Sequence, residues 1–402
     1  MPTAAQGGVC HASSVAIDVT GSAIVTRTGL RRARRGWPWL MREDIVRYDG
    51  DGGPFVDLVD ETSLPMGTAV YDPDGVAQIR LLSSARTRDP VGLIHARLER
   101  ALSRRETDLD GTDAGRICHG EADGVPGLFV DRFGPGLLVT VGCAPMNRVV
   151  DHVLPLFIEK TGATTVAVAR APHLSPGDDV TLVRGNEPKV RFVHGRLELL
   201  VDLASPAARS LTVDLERQRS VRRWARGRCL DLVAGFSGYG LQLAEGGATE
   251  DVLVDDAASL SRMAEDDAKH NEIEAKLERH ETDPLAWLRA QSEEKKRFDV
   301  VVFHPPFHPD SLDAEIDVAT ARAGEHALQC LKLLDEGGIL CASSSSLMLS
   351  DDAFETAMQD AAAKTRKRLQ VLARLGPGPD HPTLAGVRPP PSLIVTRVLA
   401  TA

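Results

Sequence analysis

The stretch CLDLVAGFSGYGLQLAEGGATEDVLVDD, Cys229 to Asp256, decides the fold of this chain. It reads as an apolar strand, a glycine turn, a helix and a second strand that ends in acid. Asp231 closes the first strand, and Gly235, Gly238 and Gly240 let the backbone bend and come close to a ligand. Leu241 to Ala244 then begin a helix that packs back on the sheet. Asp255 falls at the tip of the next strand, where a carboxylate accepts both hydroxyl hydrogens of a ribose. The spacing is not the GxGxxG of dinucleotide sites, and Gly238 and Gly240 arrive too late to cradle a pyrophosphate, so a nucleoside without phosphates fits better. The same glycines also suit a tight strand-to-helix turn in an α/β domain that binds nothing.

Outward from this stretch the pattern stays regular. From about residue 205 helical and apolar strand segments alternate, as a doubly wound parallel sheet requires. The strand candidates are CLDLV, DVLVD, Lys276–His280, FDVVVF, GGILCAS, QVLARL and SLIVTRVL, and a late antiparallel pair among them suits a seven-stranded, Rossmann-like sheet. Ser350 is placed to cap a helix that carries Asp351 and Asp352 in its first turn and Lys364 to Arg368 near its end, the charge order its dipole favours.

The preceding residues divide in two. Short alternating segments between turns (AIVTR, DIVRYDG, PFVDLVD, GTAVYDPDG, AQIRLLS) predict a small β-barrel over residues 15–88. Seven arginines fall between Arg27 and Arg47, against Glu43 and Asp44 alone. Within RRARRGWPW, the guanidinium groups of Arg31, Arg32, Arg34 and Arg35 beside Trp37 make a surface that pairs with phosphates and stacks on bases. A solvated arginine run beside two core tryptophans explains the same residues equally well. Residues 89–203 read as an α+β unit with helices near Leu93–Glu106 and Val149–Lys160. The third unit is then 204–402.

Bulk composition excludes several classes. With 43% hydrophobic and 26% charged residues the chain is an ordinary globular sequence, and no apolar run nears the ~20 residues of a membrane helix. Six scattered cysteines without a CxxC pair, and an N-terminus without a basic head and apolar core, predict a reducing, cytoplasmic setting with neither disulfides nor structural zinc. A formal charge of −10 argues against a uniformly basic coat.

Across all three segments the chain resembles the RlmI-like family of bacterial 23S rRNA cytosine-C5 methyltransferases. The resemblance rests on GWPW at 36–39, VYDPDGVAQIRLLS at 70–83, EADGVPGLFVDRFG at 121–134, FDVVVFHPPF at 298–307 and GPDHP at 378–382. It implies a PUA domain, a middle α+β domain and a class I methyltransferase domain, with S-adenosylmethionine as cofactor and ribosomal RNA as partner. Oligomeric state stays open, a homodimer included. Carried over by position, Gly235 and Gly238 line the methionine part of the cofactor, and Asp231 is counted among the residues that bind it. Asp255 holds the ribose, Asp283 lies beside the adenine, and Asp214 in TVDLERQR takes the upstream acidic position.

The chain departs from that pattern where chemistry happens. Methylation at C5 of cytosine needs a thiolate to add at C6. The positions matching the family's cysteines in CASSSSLMLS are Ser343 and Ser345, and serine has no useful anion population without a dedicated base. Cys341 is a strand residue ~13 Å from Ser345. His304 stands where the family has an acidic or amide residue before Pro-Pro and an aromatic; Phe307 keeps the surface that stacks on a base. His304 is placed to orient or deprotonate the acceptor, and a metal pair with His308 lacks further ligands at suitable spacing. TVDLERQR also lacks the glutamine and arginine that follow the aspartate in the family, and the aromatics before it are absent. Two readings follow: an RNA methyltransferase whose acceptor atom is open, and a catalytically silent RNA-binding relative.

Overall fold

The computed structural model describes residues 17–400 apart from 110–111, 171–179, 206, 233–234, 237, 256–257, 305–314, 344–348, 388 and 390–391. The chain packs as two compact units. The first comprises residues 1–106, 117–130 and 135–186, and the second 107–116, 131–134 and 187–402.

The first unit opens with a six-stranded sheet of β1 (Val19–Val25), β2 (Trp39–Leu40), β3 (Ile45–Gly50), β4 (Phe55–Val59), β5 (Pro65–Tyr71) and β6 (Ile79–Ser83). Their order is β2-β6-β5-β4-β1-β3, and β1 runs parallel to β4 while the other pairings are antiparallel. Ala23, Val25, Leu40, Val56, Leu58, Ala69 and Ile79 fill its core. The expected strand AIVTR stops at Val25, and Arg27–Arg34 forms helix α1 instead. The cause is local: Thr26 accepts the Gly29 N–H through its hydroxyl at 3.1 Å, and Arg31, Arg32 and Arg34 sit at the helix end whose dipole favours cations.

Helix α2 (Pro90–Asp108) follows, then β7 (Ala114–His119), β8 (Leu128–Phe133), β9 (Gly136–Val141), α3 (Asn147–Thr161), β10 (Thr165–Arg170) and β11 (Val180–Arg184), the strands ordered β11-β10-β9-β8-β7. Between β7 and β8 the motif EADGVPG makes a 3-10 turn, Gly120–Asp123, and leaves it through Gly124 and Gly127 at φ +74° and +68°, where L side chains are strained. A two-stranded hairpin, β12 (Lys189–His194) and β13 (Leu197–Asp202), belongs to the second unit.

The rest of the second unit is α4 (Ala208–Val221), β14 (Arg228–Leu232), α5 (Gly238–Glu245), β15 (Glu250–Asp255), α6 (Ala258–His270), β16 (Lys276–Glu281), α7 (Pro284–Glu293), β17 (Phe298–Phe303), α8 (Glu315–Lys332), β18 (Leu334–Ala342), α9 (Asp351–Lys364), β19 (Lys367–Leu375) and β20 (Leu393–Ala400). The sheet order is β16-β15-β14-β17-β18-β20-β19, parallel except for β20. Alternate residues of β17 serve opposite faces. Val300 and Val302 pack with Tyr239 and Leu243 of α5, whereas Val301 and Phe303 pack with Leu331, Phe354 and Met358 of α8 and α9. Full burial of each such side chain contributes about 1.5–3 kcal/mol. The strand order reverses between β14 and β17, and in open sheets of this kind the ligand crevice lies at the carboxyl ends beside that reversal.

Candidate active site

Four carboxyl ends meet at that edge: β14 after Asp231, β15 at Asp255, β17 before His304 and β18 before Ser343. Asp255 is buried, and its Oδ2 accepts the Gly235 N–H at 2.7 Å. Gly235 has φ +52°, and a side chain there would meet no described atom within 4 Å, so the turn leaves open space beside the Asp255 carboxylate. A polar strand tip next to an open backbone turn fits a ribose and its nucleoside. Among the described residues no cluster of His, Cys, Asp and Glu is grouped as a metal site requires.

The other two glycines have different tasks. A Cβ on Gly238 would collide with the Gln218 amide at 2.3–2.6 Å, and one on Gly240 would meet Asp251 Oδ2 and Leu253 Cδ2 at 2.5 Å. The Gln218 amide thus lies against Gly238. Gly240 lets α5 settle on two buried acids. Asp231 accepts the Gly240 N–H at 2.8 Å, and burial, reinforced by the Asp255 charge, pushes its carboxyl up to about 7 against that hydrogen bond and His304. Asp251 is fully buried, and neither of its oxygens has a hydrogen-bond partner among the described residues; burial and the neighbouring Asp231 push it well above the usual carboxylate range.

His304 is engaged at both ring nitrogens. Nε2 lies 2.8 Å from Asp214 Oδ2, and Nδ1 is hydrogen-bonded to the Ser343 hydroxyl. Asp214 Oδ1 accepts from Arg217 at 2.9 Å and from the Tyr239 hydroxyl at 3.1 Å. Burial alone would raise the Asp214 carboxyl, but the charges and hydrogen bonds of His304 and Arg217 outweigh it and hold it down at about 2. The result is a carboxylate–imidazole–hydroxyl chain that ties α4 to the ends of β17 and β18. Ser343 is fully covered. Its hydroxyl fixes the imidazole rather than presenting itself to an incoming base.

Helix α4 is held from its other side too. Thr212 donates to Asp131 Oδ1 at 2.6 Å, and Asp131 takes Arg116 in a two-pronged contact at 2.8 and 2.9 Å. Asp380 accepts the Arg116 N–H at 2.8 Å and pairs with His381 at 3.0 Å. The motifs EADGVPGLFVDRFG and GPDHP thus supply, through Asp131 and Asp380–His381, a buried frame around the helix that carries Asp214.

The remaining sequence-based residues are scattered. Asp283 is exposed and caps α7, accepting the Ala286 N–H at 2.6 Å. Phe307 and Ser345, like His308, lie outside the described residues. Cys341 is a fully buried strand residue. Arg31, Arg32 and Arg34 of α1 are exposed, as is Arg35 just beyond it, and Arg32 is in addition bound to the buried Asp44 at 2.7 Å. Trp37 is half-buried, edge-on to Trp39 at 5.8 Å, and Trp39 donates to Glu121 at 3.0 Å. Arg217, Gln218 and Tyr239 escaped the reading of the sequence. Residues 214, 217 and 218 are spaced i, i+3 and i+4, so a helical assignment to TVDLERQR places them on one face.

A seven-stranded sheet of this order, with a glycine turn after its first strand and an acid at the tip of its second, is the class I methyltransferase fold. Residues 23–84 match the family described as a PUA-like domain, and residues 217–358 match the one described as conserved hypothetical protein 95. The chain is 26% identical over 374 residues to ribosomal RNA large subunit methyltransferase I of Shigella boydii serotype 18, covering 87% of this chain and 92% of that one. Among solved structures, a chain described as a SAM-dependent methyltransferase from Streptococcus mutans superposes with a TM-score of 0.80 at 14% identity, covering 94% of this chain and 99% of its own. A methyltransferase solved with SAH gives 0.80 at 15% identity with the same coverage. These likenesses fix the fold.

Proposed function

We propose that the protein is an S-adenosylmethionine-dependent methyltransferase that acts on RNA, with ribosomal RNA as substrate and the cytoplasm as its place of work. The observation that carries this reading is the buried Asp255 at the tip of β15, bonded to Gly235 beside an open turn. Asp255 would hold the ribose and Asp231 would support the turn, with Asp283 near the adenine. When bound, the cofactor supplies an electrophilic methyl group on sulfonium sulfur. The name of the Shigella relative, which matches over nearly its whole length, supports ribosomal RNA. Arg31, Arg34 and Arg35 supply a cationic strip suited to phosphates.

The Asp214–His304–Ser343 chain bears on the acceptor atom. Addition to a pyrimidine ring needs a thiolate, yet burial pushes Cys229 up to about 12 and Cys341 higher still. A nitrogen or oxygen acceptor needs no covalent enzyme intermediate and so suits a site without an ionised thiol, while His304, engaged at Nε2 by Asp214 and at Nδ1 by Ser343, ties α4 to the ends of β17 and β18. Within the site, Phe307 would stack on the extruded base.

Calorimetric titration with S-adenosylmethionine tests the cofactor site. The wild-type protein is expected to bind in the micromolar range and Asp255→Ala to lose at least tenfold in affinity. Equal affinity of the two proteins would remove Asp255 from the site.

A further inference from the structure

Trp37 has its backbone pinned on both sides. Its N–H closes on Arg32 O at 3.1 Å at the end of α1, after Gly36 has turned through φ +82°, and the carbonyl of Pro38 accepts the Leu81 N–H of β6 at 2.9 Å. The Trp37 ring is half-buried and stands perpendicular to that of Trp39, so Trp39 covers at most one of its faces. Trp39 is fixed in turn. It pairs with Arg80 across β2 and β6, and its indole and the Arg80 guanidinium both donate to one oxygen, Oε1 of Glu121, at 3.0 and 2.6 Å. Glu121 is 8% exposed and comes from the 3-10 turn of EADGVPG, which lies in the same compact unit. The core of the six-stranded sheet is built without either tryptophan. Their mount therefore serves something other than barrel packing.

Arg31, Arg34 and Arg35 precede the ring and are exposed. A fixed indole with a bare face next to guanidinium groups matches a nucleotide whose base has left its stack: the ring takes the base and the cations take the flanking phosphates. A paired base inside a duplex is covered on both faces by its neighbours and offers no such surface. We propose that Glu121 is a positioning residue of the RNA surface: through Trp39 it holds Trp37 as a fixed platform on which one unpaired base of RNA stacks. The inference rests on reading RNA as the substrate and adds a single-stranded contact in the first unit. An aromatic ring held in place before binding loses little freedom on binding, which is what the mount contributes.

The test compares oligouridylate, a single strand, with a blunt RNA duplex, reading affinity from the anisotropy of a labelled strand and stacking from the quenching of tryptophan fluorescence. Trp37→Leu should lower the affinity for oligouridylate about tenfold and remove most of the quenching, while affinity for the duplex, carried by the arginines, stays within about twofold of wild type. Trp37→Phe keeps a flat ring and should keep the affinity while losing the quenching; it decides the case if the leucine variant fails to fold, as judged by its thermal transition. Glu121→Ala should weaken oligouridylate binding in the same direction, and Glu121→Gln, whose amide oxygen still accepts from both donors, should restore it. Unchanged quenching in the Trp37 variants, or equal losses for single strand and duplex, would overturn the platform. A Glu121→Ala protein that binds like wild type, or a Glu121→Gln protein as weak as the alanine variant, would overturn the positioning role. A wild-type protein that binds neither RNA would instead refute the reading of RNA as substrate.

Discussion

Asp231 and Asp214 show how two carboxylates on one sheet edge are driven in opposite directions. Both are buried, but Asp214 faces His304 and Arg217 directly, whereas Asp231 faces Asp255 and has only the Gly240 N–H and the weaker influence of His304 to offset burial. A group raised to about 7 in the folded chain, from a value near 4 unfolded, favours the fold at low pH and loses that contribution as pH rises through 7. The ligand-free protein should therefore lose thermal stability between pH 5 and pH 8, and Asp231→Asn should flatten that part of the profile, as scanning calorimetry of both proteins would register. An identical slope in the variant would mean that Asp231 is already ionised at pH 5. Asp214 behaves inversely: its contribution is present above pH 4 and is lost only as pH falls through about 2. The acid at the strand tip and the glycine turn were legible because their residue types and spacing are local signals. The partner of His304 was not, since Asp214 and Ser343 are brought to it from positions 90 residues before and 39 residues after it in the chain.

At the level of elements, α4 and α1 carry what the linear pattern concealed. The strands of the seven-stranded sheet fall where their segments predict; those at its centre were readable as continuous apolar runs, whereas the edge strand β16, KLERHE, is polar and half-exposed. Helix α4 was opaque because its polar residues face inward: Thr212 binds Asp131, Asp214 binds His304, and Gln218 covers Gly238. Buried polar residues look like a solvated face until their partners are known. Helix α1 was not foreseen either, because the Thr26 cap that ends the strand AIVTR at Val25 is a single side-chain contact. Within it the four arginines are not equivalent. Arg32 neutralises Asp44, whose side chain is 1% exposed, so Arg32→Gln leaves a buried carboxylate without its cation and should cost about 1–3 kcal/mol, read as a lower urea midpoint. Arg31→Gln should leave that midpoint unchanged, and equal effects of the two substitutions would contradict the division between a structural and a solvent-facing arginine.

For the whole molecule, the two compact units divide the work proposed here, with a PUA-like sheet and its cationic helix in the first and the cofactor edge in the second. Among the described residues no helix is long and apolar enough to cross a membrane. The departures from the resembling family, His304 and Ser343, meet in a single hydrogen-bonded chain anchored on Asp214, so they form one altered device. The most direct measurement of the central claim is transfer of a deuterated methyl group from S-adenosylmethionine to unmodified ribosomal RNA whose cytidines carry deuterium at C5, read by nucleoside mass spectrometry. The account predicts a labelled methyl nucleoside that appears with the wild-type protein, disappears with Asp255→Ala and, if it is a cytidine, retains its C5 deuterium. Loss of the C5 deuterium would contradict the nitrogen or oxygen acceptor, and no labelled nucleoside from a protein that binds the cofactor would contradict RNA methylation itself.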